Sequence, residues 1–206
     1  MQKLYSYRPF IIYLVIASLI VGFEVSNDYL MPVDTPDRTS VNTLELTKIG
    51  AYGVLRKARP GVPAHYHTGI DIKRPSPNYR DEPIFPITEG IVISKRTDGP
   101  YAQLIIEHGQ DKKFWTVYEH IAGIYVHVGE PVNTHTPIAR FMNKSELDQY
   151  GWQFDHFHFE ILKSKPIRLE HDDAHPDRHY ASYTLVCYTI EELNAHFYDP
   201  FAFLSK

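Results

Sequence analysis

Only one cysteine, Cys187, occurs among the 206 residues, which excludes an intramolecular disulfide and any zinc cluster built on thiolates. No run of Lys and Arg stands out, and the formal charge is −4. The electrostatic footprint of a nucleic-acid binder is therefore missing. No apolar run approaches the roughly 20 residues that cross a bilayer as a helix; the longest, Phe10–Phe23, has 14. Helical periodicity is scarce, and internal repeats and low-complexity tracts are absent. What the chain does carry is rings: 15 Tyr, 11 Phe and 12 His. Tyr and Phe suit the half-buried surface of a sheet, and an excess of histidine is a compositional hint of metal.

Lys3 and Arg8 precede the apolar run, and Glu24 and Asp28 follow it, the charge order of a secretory leader. Residues 1–25 are therefore expected to be a signal peptide or an N-terminal membrane anchor. Ile20-Val21-Gly22 is a poor cleavage site, so both forms stay open, and no Cys follows to take a lipid. The expectation is export to the cell envelope: periplasmic, anchored facing the periplasm, or secreted. Residues 26–43, polar and containing Pro32 and Pro36, read as a linker.

From Leu44 a single domain is expected to run to residue 206, long enough to bury its own core. Lys48–Leu55, Ile70–Lys73, Gly90–Lys95, Gln103–Glu107, Lys113–His120 and Pro137–Met142 all read as strands. Turn signals such as Thr97-Asp98-Gly99-Pro100 and His108-Gly109-Gln110-Asp111 separate them. Short strands at near-regular spacing predict an antiparallel β-sheet domain. In the tail, His171–His179 reads as a solvated loop and Tyr183–Tyr188 as a strand. Thr189 with Glu192 has capping-box spacing, which predicts a short helix ending before Asp199-Pro200.

The chemistry concentrates in two stretches. In Phe154–Leu162 successive side chains alternate faces if the segment is a strand. His156 and His158 then share one face, and Phe157, Phe159 and Ile161 the other. A lone His-x-His is more often a half-buried strand with two surface histidines, so it needs partners. His67-Thr68-Gly69-Ile70-Asp71 supplies them. A catalytic zinc site takes three protein ligands and keeps a fourth position open, and His67, Asp71 and His158 would form a set of that kind, whose carboxylate leaves the zinc one net positive charge. Gly69 allows the chain to bend between two of them. His65 competes with His67, but the Gly-x-Asp that follows favours His67. His108 is expected to make a structural hydrogen bond and Cys187 to be a small core residue. Tyr66, Trp115 and Trp152 fit either a substrate groove or plain packing.

Together with Tyr118-Glu119-His120 and His156-Phe157-His158-Phe159-Glu160, the first motif closely resembles those of the lysostaphin-type (LytM-like) zinc endopeptidases. The resemblance covers roughly residues 45–165, includes Val126-x-x-Gly129-x-x-Val132, and extends to Asp199-Pro200 near the end. It implies a mainly β fold of the duplicated-hybrid-motif type, an antiparallel sheet with the site in a groove on one face and a small C-terminal helical element. It implies Zn2+ on His67, Asp71 and His158, with His120 and His156 as catalytic residues, one taking the proton of water and the other steadying the oxyanion. The implied activity is hydrolysis of peptide cross-links in bacterial peptidoglycan. The implied partners are that peptide substrate and, if the N-terminal segment is uncleaved, the inner membrane. The alternative is a catalytically silent module of the same fold that binds cell wall or regulates another wall hydrolase. Three departures stand out: Asn143–Phe154 replaces a glycine-rich approach to His-x-His, Phe157 and Ile121 replace leucines, and an insertion is expected near residues 168–195.

Overall fold

The computed structural model describes residues 29–205; the segment expected to be a signal peptide or anchor lies outside the described residues. Seven antiparallel strands form the main sheet: β1 (Ile70–Ile72), β2 (Gly90–Arg96), β3 (Gln103–His108), β4 (Phe114–Glu119), β5 (Pro131–Val132), β6 (Phe157–Leu162) and β7 (Phe197–Tyr198). Their order is β7-β6-β4-β3-β2-β5, with β1 also paired to β6. β1 takes Phe157–Phe159 of β6 and β7 takes Ile161 and Leu162, so the two short strands share one edge of β6 end to end while β4 fills the other. Every residue of β6 is buried. The mainly β, antiparallel architecture expected from the strand spacing is what the chain forms.

Register explains how one sheet holds both a core and a site. On one face Phe157, Phe159, Ile161, Ile70, Ile72, Tyr118, Leu104 and Ile106 form the main hydrophobic core. The other face reads in cross-strand rows, because directly paired residues point the same way. Asp71, His158, Glu119, Gln103 and Arg96 are successive partners across five strands. The next row runs Glu160, Val117, Ile105, Ser94. Val117 and Ile105 join Trp115, Leu162, Cys187, Leu193 and Phe197 in a second apolar cluster. The tail after β6 therefore covers one end of the site face and leaves the Asp71–His158–Glu119 row beside it.

Local signals account for several elements. Helix α2 (Ile190–His196) starts at Thr189 with the expected capping box to Glu192, and α3 (Pro200–Leu204) starts at Pro200 with Asp199 as its cap. Gly129 makes the turn between buried Val126 and Val132 with φ 86°. Other expectations are corrected. Helix is not confined to the C-terminus: α1 (Lys144–Tyr150) lies in the approach to His-x-His, with a capping box between Asn143 and Glu146. Tyr183–Tyr188 is no strand, because the chain turns there and Leu185 takes φ 69°. Lys48–Leu55 contributes strand only at Leu55–Arg56, paired with His65–Tyr66, and Pro137–Met142 only at Ala139–Arg140. On the stretch read as a linker, Met31 and Val33 are buried in the main core. No helix among the described residues is long and apolar enough to cross a membrane.

Candidate metal centre and active site

Gly69 is what brings the two ligand motifs together. A Cβ built on it would lie 2.2 Å from the Phe159 carbonyl oxygen, so only glycine lets β1 approach β6 this closely. Its φ is not left-handed, so close approach rather than a bend is the reason for glycine. With β1 in place, Asp71 pairs directly with His158. His67 Nε2, Asp71 Oδ1 and His158 Nδ1 then form a triangle with every edge 3.0 Å. All three residues are buried.

The hydrogen bonds around this triangle decide what it can hold. His67 Nδ1 donates to the Ala51 carbonyl at 2.9 Å, which leaves a lone pair on Nε2. His158 Nε2 donates to Glu160 Oε1 at 3.0 Å, which leaves a lone pair on Nδ1. Two imidazole lone pairs and a carboxylate oxygen converge on one point, an arrangement that calls for a cation. The edge is near the roughly 3.3 Å of a tetrahedron built on zinc bonds of about 2.0–2.1 Å. The residues present fit zinc, and three ligand atoms leave a fourth position. Asp71 is kept to one ligand oxygen because Arg56 Nη2 donates to its Oδ2 at 2.7 Å.

The electrostatics agree. Burial disfavours the charged form of His67 and lowers its pKa. Burial would raise the Asp71 carboxyl, yet the two imidazoles, which donate to it once either takes up a proton, hold it well below the usual carboxylate range. Burial also opposes a charged His158, but the Asp71 and Glu160 carboxylates outweigh it and push the ring up to about 10. A ring caught between two carboxylates attracts a positive charge, whether proton or metal.

His120 and His156 stand beside the triangle with their rings 5.3 Å apart and nearly perpendicular. His120 ends β4 in a left-handed conformation, φ 62°, which turns it off the strand. Its Nδ1 donates to the Pro100 carbonyl at 2.6 Å, so Nε2 is the free acceptor. His156 Nε2 lies 3.7 Å from Asp71 Oδ1. Burial lowers both rings to about 4, which keeps them neutral at neutral pH.

The fold thus gathers all five candidates, His67, Asp71, His158, His120 and His156, on one face. His65 stays apart, its Nδ1 donating to the Pro63 carbonyl at 2.8 Å. Trp115 is buried in the second cluster and Trp152 is 47% exposed with its indole on Asp148. Three further residues contribute, of which Glu160 and Glu119 stand inside the sequence motifs with no role assigned to them and Arg56 lies outside. Glu160 is 0% exposed and holds His158; its signal was the alternation of β6, which puts it on the face of His158, whereas His156 precedes the strand in a bend. Glu119 lies beside His158 in register and accepts from Gln103 at 2.8 Å. Arg56 carries no signal in sequence, because its pairing with Asp71 depends on tertiary contact.

Among solved structures, the chain is similar to a zinc-containing peptidase from Vibrio cholerae, at 25% identity over 65% of this chain and 36% of that one, with a TM-score of 0.45. It is similar also to the catalytic domain of lysostaphin from Staphylococcus simulans, at 17% identity over 80% of this chain and 95% of that one, with a TM-score of 0.47. No curated protein sequence matches it. The profile described as Peptidase family M23 matches residues 65–169, which is 105 of 206 residues and takes in His67, Asp71, His120, His156 and His158. On that match, over just more than half its length, the chain belongs to peptidase family M23.

Proposed function

We propose that this protein is a zinc-dependent endopeptidase of the cell envelope that hydrolyses peptide cross-links of bacterial peptidoglycan. The observation that carries the reading is the convergence of two lone-pair imidazole nitrogens and one carboxylate oxygen at 3.0 Å spacing, with two neutral histidines alongside. His67, Asp71 and His158 would hold the metal. When bound, zinc polarises the scissile carbonyl and acidifies water at neutral pH. His120, whose Nδ1 proton is held by Pro100, accepts the proton of the attacking water at Nε2. His156 faces Asp71 Oδ1, which favours a proton on its Nε2, and that N–H steadies the developing oxyanion. Export by residues 1–25, cleaved or retained as an anchor, would deliver the domain at 44–206 to this substrate.

The test is elemental analysis of the purified protein together with separation of the muropeptides it releases from peptidoglycan. The expected result is close to one zinc per chain and new products that disappear with chelator. A zinc-loaded protein that binds peptidoglycan but releases nothing would favour the silent wall-binding module instead.

A further inference from the structure

We propose that Ser182 and Thr184, carried by the tail that follows β6, are positioning residues of the metal centre, acting through Glu160 on the orientation of His158. The inference rests on the metal reading above and adds a part to the site that neither ligand motif contains.

Glu160 is a fully buried carboxylate beside Val117, which offers no hydrogen bond from its side chain. A carboxylate in such a place needs donors. It has four: His158 Nε2 at 3.0 Å, Thr68 Oγ1 and Thr184 Oγ1 at 2.5 Å each, and Ser182 Oγ. Oε1 takes the first three, and Ser182 is the partner of Oε2. Half of the shell that keeps Glu160 ready to receive His158 therefore comes from the tail.

The tail is independently fastened on both sides of these hydroxyls. Before them, Ser94 Oγ accepts from the backbone N–H of His179 and of Tyr180 and donates to the Tyr180 carbonyl. After them, the Tyr66 N–H donates to the Cys187 carbonyl at 2.8 Å, and Cys187 enters the second apolar cluster. The segment between turns at Leu185 and carries both hydroxyls to Glu160. Outer partners of this kind fix the tautomer and direction of a ligating imidazole, and their loss typically costs about 10–100-fold in metal affinity. Coupling is reciprocal: if docking of the tail favours metal, metal must favour docking of the tail.

The experiment measures zinc affinity by competition with a chromophoric chelator, and amide hydrogen exchange over residues 180–187 with and without zinc. The Ser182→Ala/Thr184→Val protein should bind zinc about 10–100-fold more weakly, and in wild type zinc should slow exchange in that segment. In a Glu160→Leu background, which leaves no acceptor for His158, the same pair of substitutions should cost little more, because its route to His158 is already cut. Thr184→Ser, which restores a hydroxyl, should recover wild-type affinity, and Ser182→Ala alone should show an intermediate loss; these two keep the test open if the double variant does not fold. Unchanged affinity in the double variant and in Ser182→Ala, or an equal further loss in the Glu160→Leu background, overturns the proposal while leaving the metal reading intact. A wild-type protein that binds no zinc overturns the metal reading and this one with it.

Discussion

Gly69 and Phe159 touch so closely that a methyl group on Gly69 would stand 2.2 Å from the Phe159 carbonyl oxygen. The contact lies between Thr68, which donates to Glu160, and Ile70, which pairs with Phe159. Neither backbone can retreat without opening the β1–β6 pair. Gly69→Ala should therefore cost several kcal/mol, at the high end of single substitutions (roughly above 4–5 kcal/mol), and zinc should be lost with the fold. Urea unfolding and metal content check this. A stable, zinc-loaded Gly69→Ala protein would show that β1 has freedom to shift.

His156 and His158 share a face two residues apart yet differ in their hydrogen bonds, and the two substitutions should separate. His158→Ala should lose metal and turnover together. His156→Ala should keep its zinc and lose about 10²–10⁴-fold in kcat, the usual contribution of a proton-handling or oxyanion-steadying group. His120→Ala should behave like His156→Ala. Elemental analysis paired with rates on purified peptidoglycan reads both properties. A metal-free His156→Ala protein beside a zinc-loaded His158→Ala protein would reverse the assignment.

His108 supplies a pH dependence separate from the metal ligands. Its Nδ1 donates to the Glu89 carbonyl at 2.8 Å, its Nε2 accepts from the Thr116 hydroxyl at 2.7 Å, and its ring stacks on Phe114. Burial pushes it down to about 4, against about 6.5 in an unfolded chain. The unfolded state then binds the proton more tightly between these values, so the contribution is present above about pH 6.5 and is lost as pH falls toward 4. From pH 7 to pH 5 the loss from this residue is about 2 kcal/mol. His108→Gln should remove that part of the slope. Equal slopes for the variant and wild type in urea melts at the two pH values would exclude His108 as its source.

Cys187 is 0% exposed, and burial lifts its thiol up to about 11. A thiol that is both covered and protonated should not react with a disulfide reagent in the native protein. Labelling should appear only with unfolding, at the rate of unfolding. Rapid modification of the folded, zinc-loaded protein would mean that the tail over the second cluster opens readily.

Much of this protein is dictated locally and is therefore legible in the chain. The alternation of a strand puts His158 and Glu160 on one face from their spacing alone, whereas His156, expected on the same strand, stands in a bend just before β6. Thr189 and Glu192 announce a helix because a capping box spans only four residues, and the same signal at Asn143 and Glu146 marks α1, whose 7 residues are too few to show a helical period. Tyr183–Tyr188 misled because its β-formers met a competing demand: the chain has to turn so that Thr184 reaches Glu160 and Cys187 reaches the second cluster. What joins distant segments is decided by packing. Only the register of β1 against β6 makes Asp71 the neighbour of His158, and only the folded tail carries Ser182 and Thr184 to Glu160. Arg56 meets Asp71 in the same way. Periodicity and caps act over a few residues and leave their mark in the sequence, whereas which buried charge meets which donor depends on a close approach of backbones that no local pattern records.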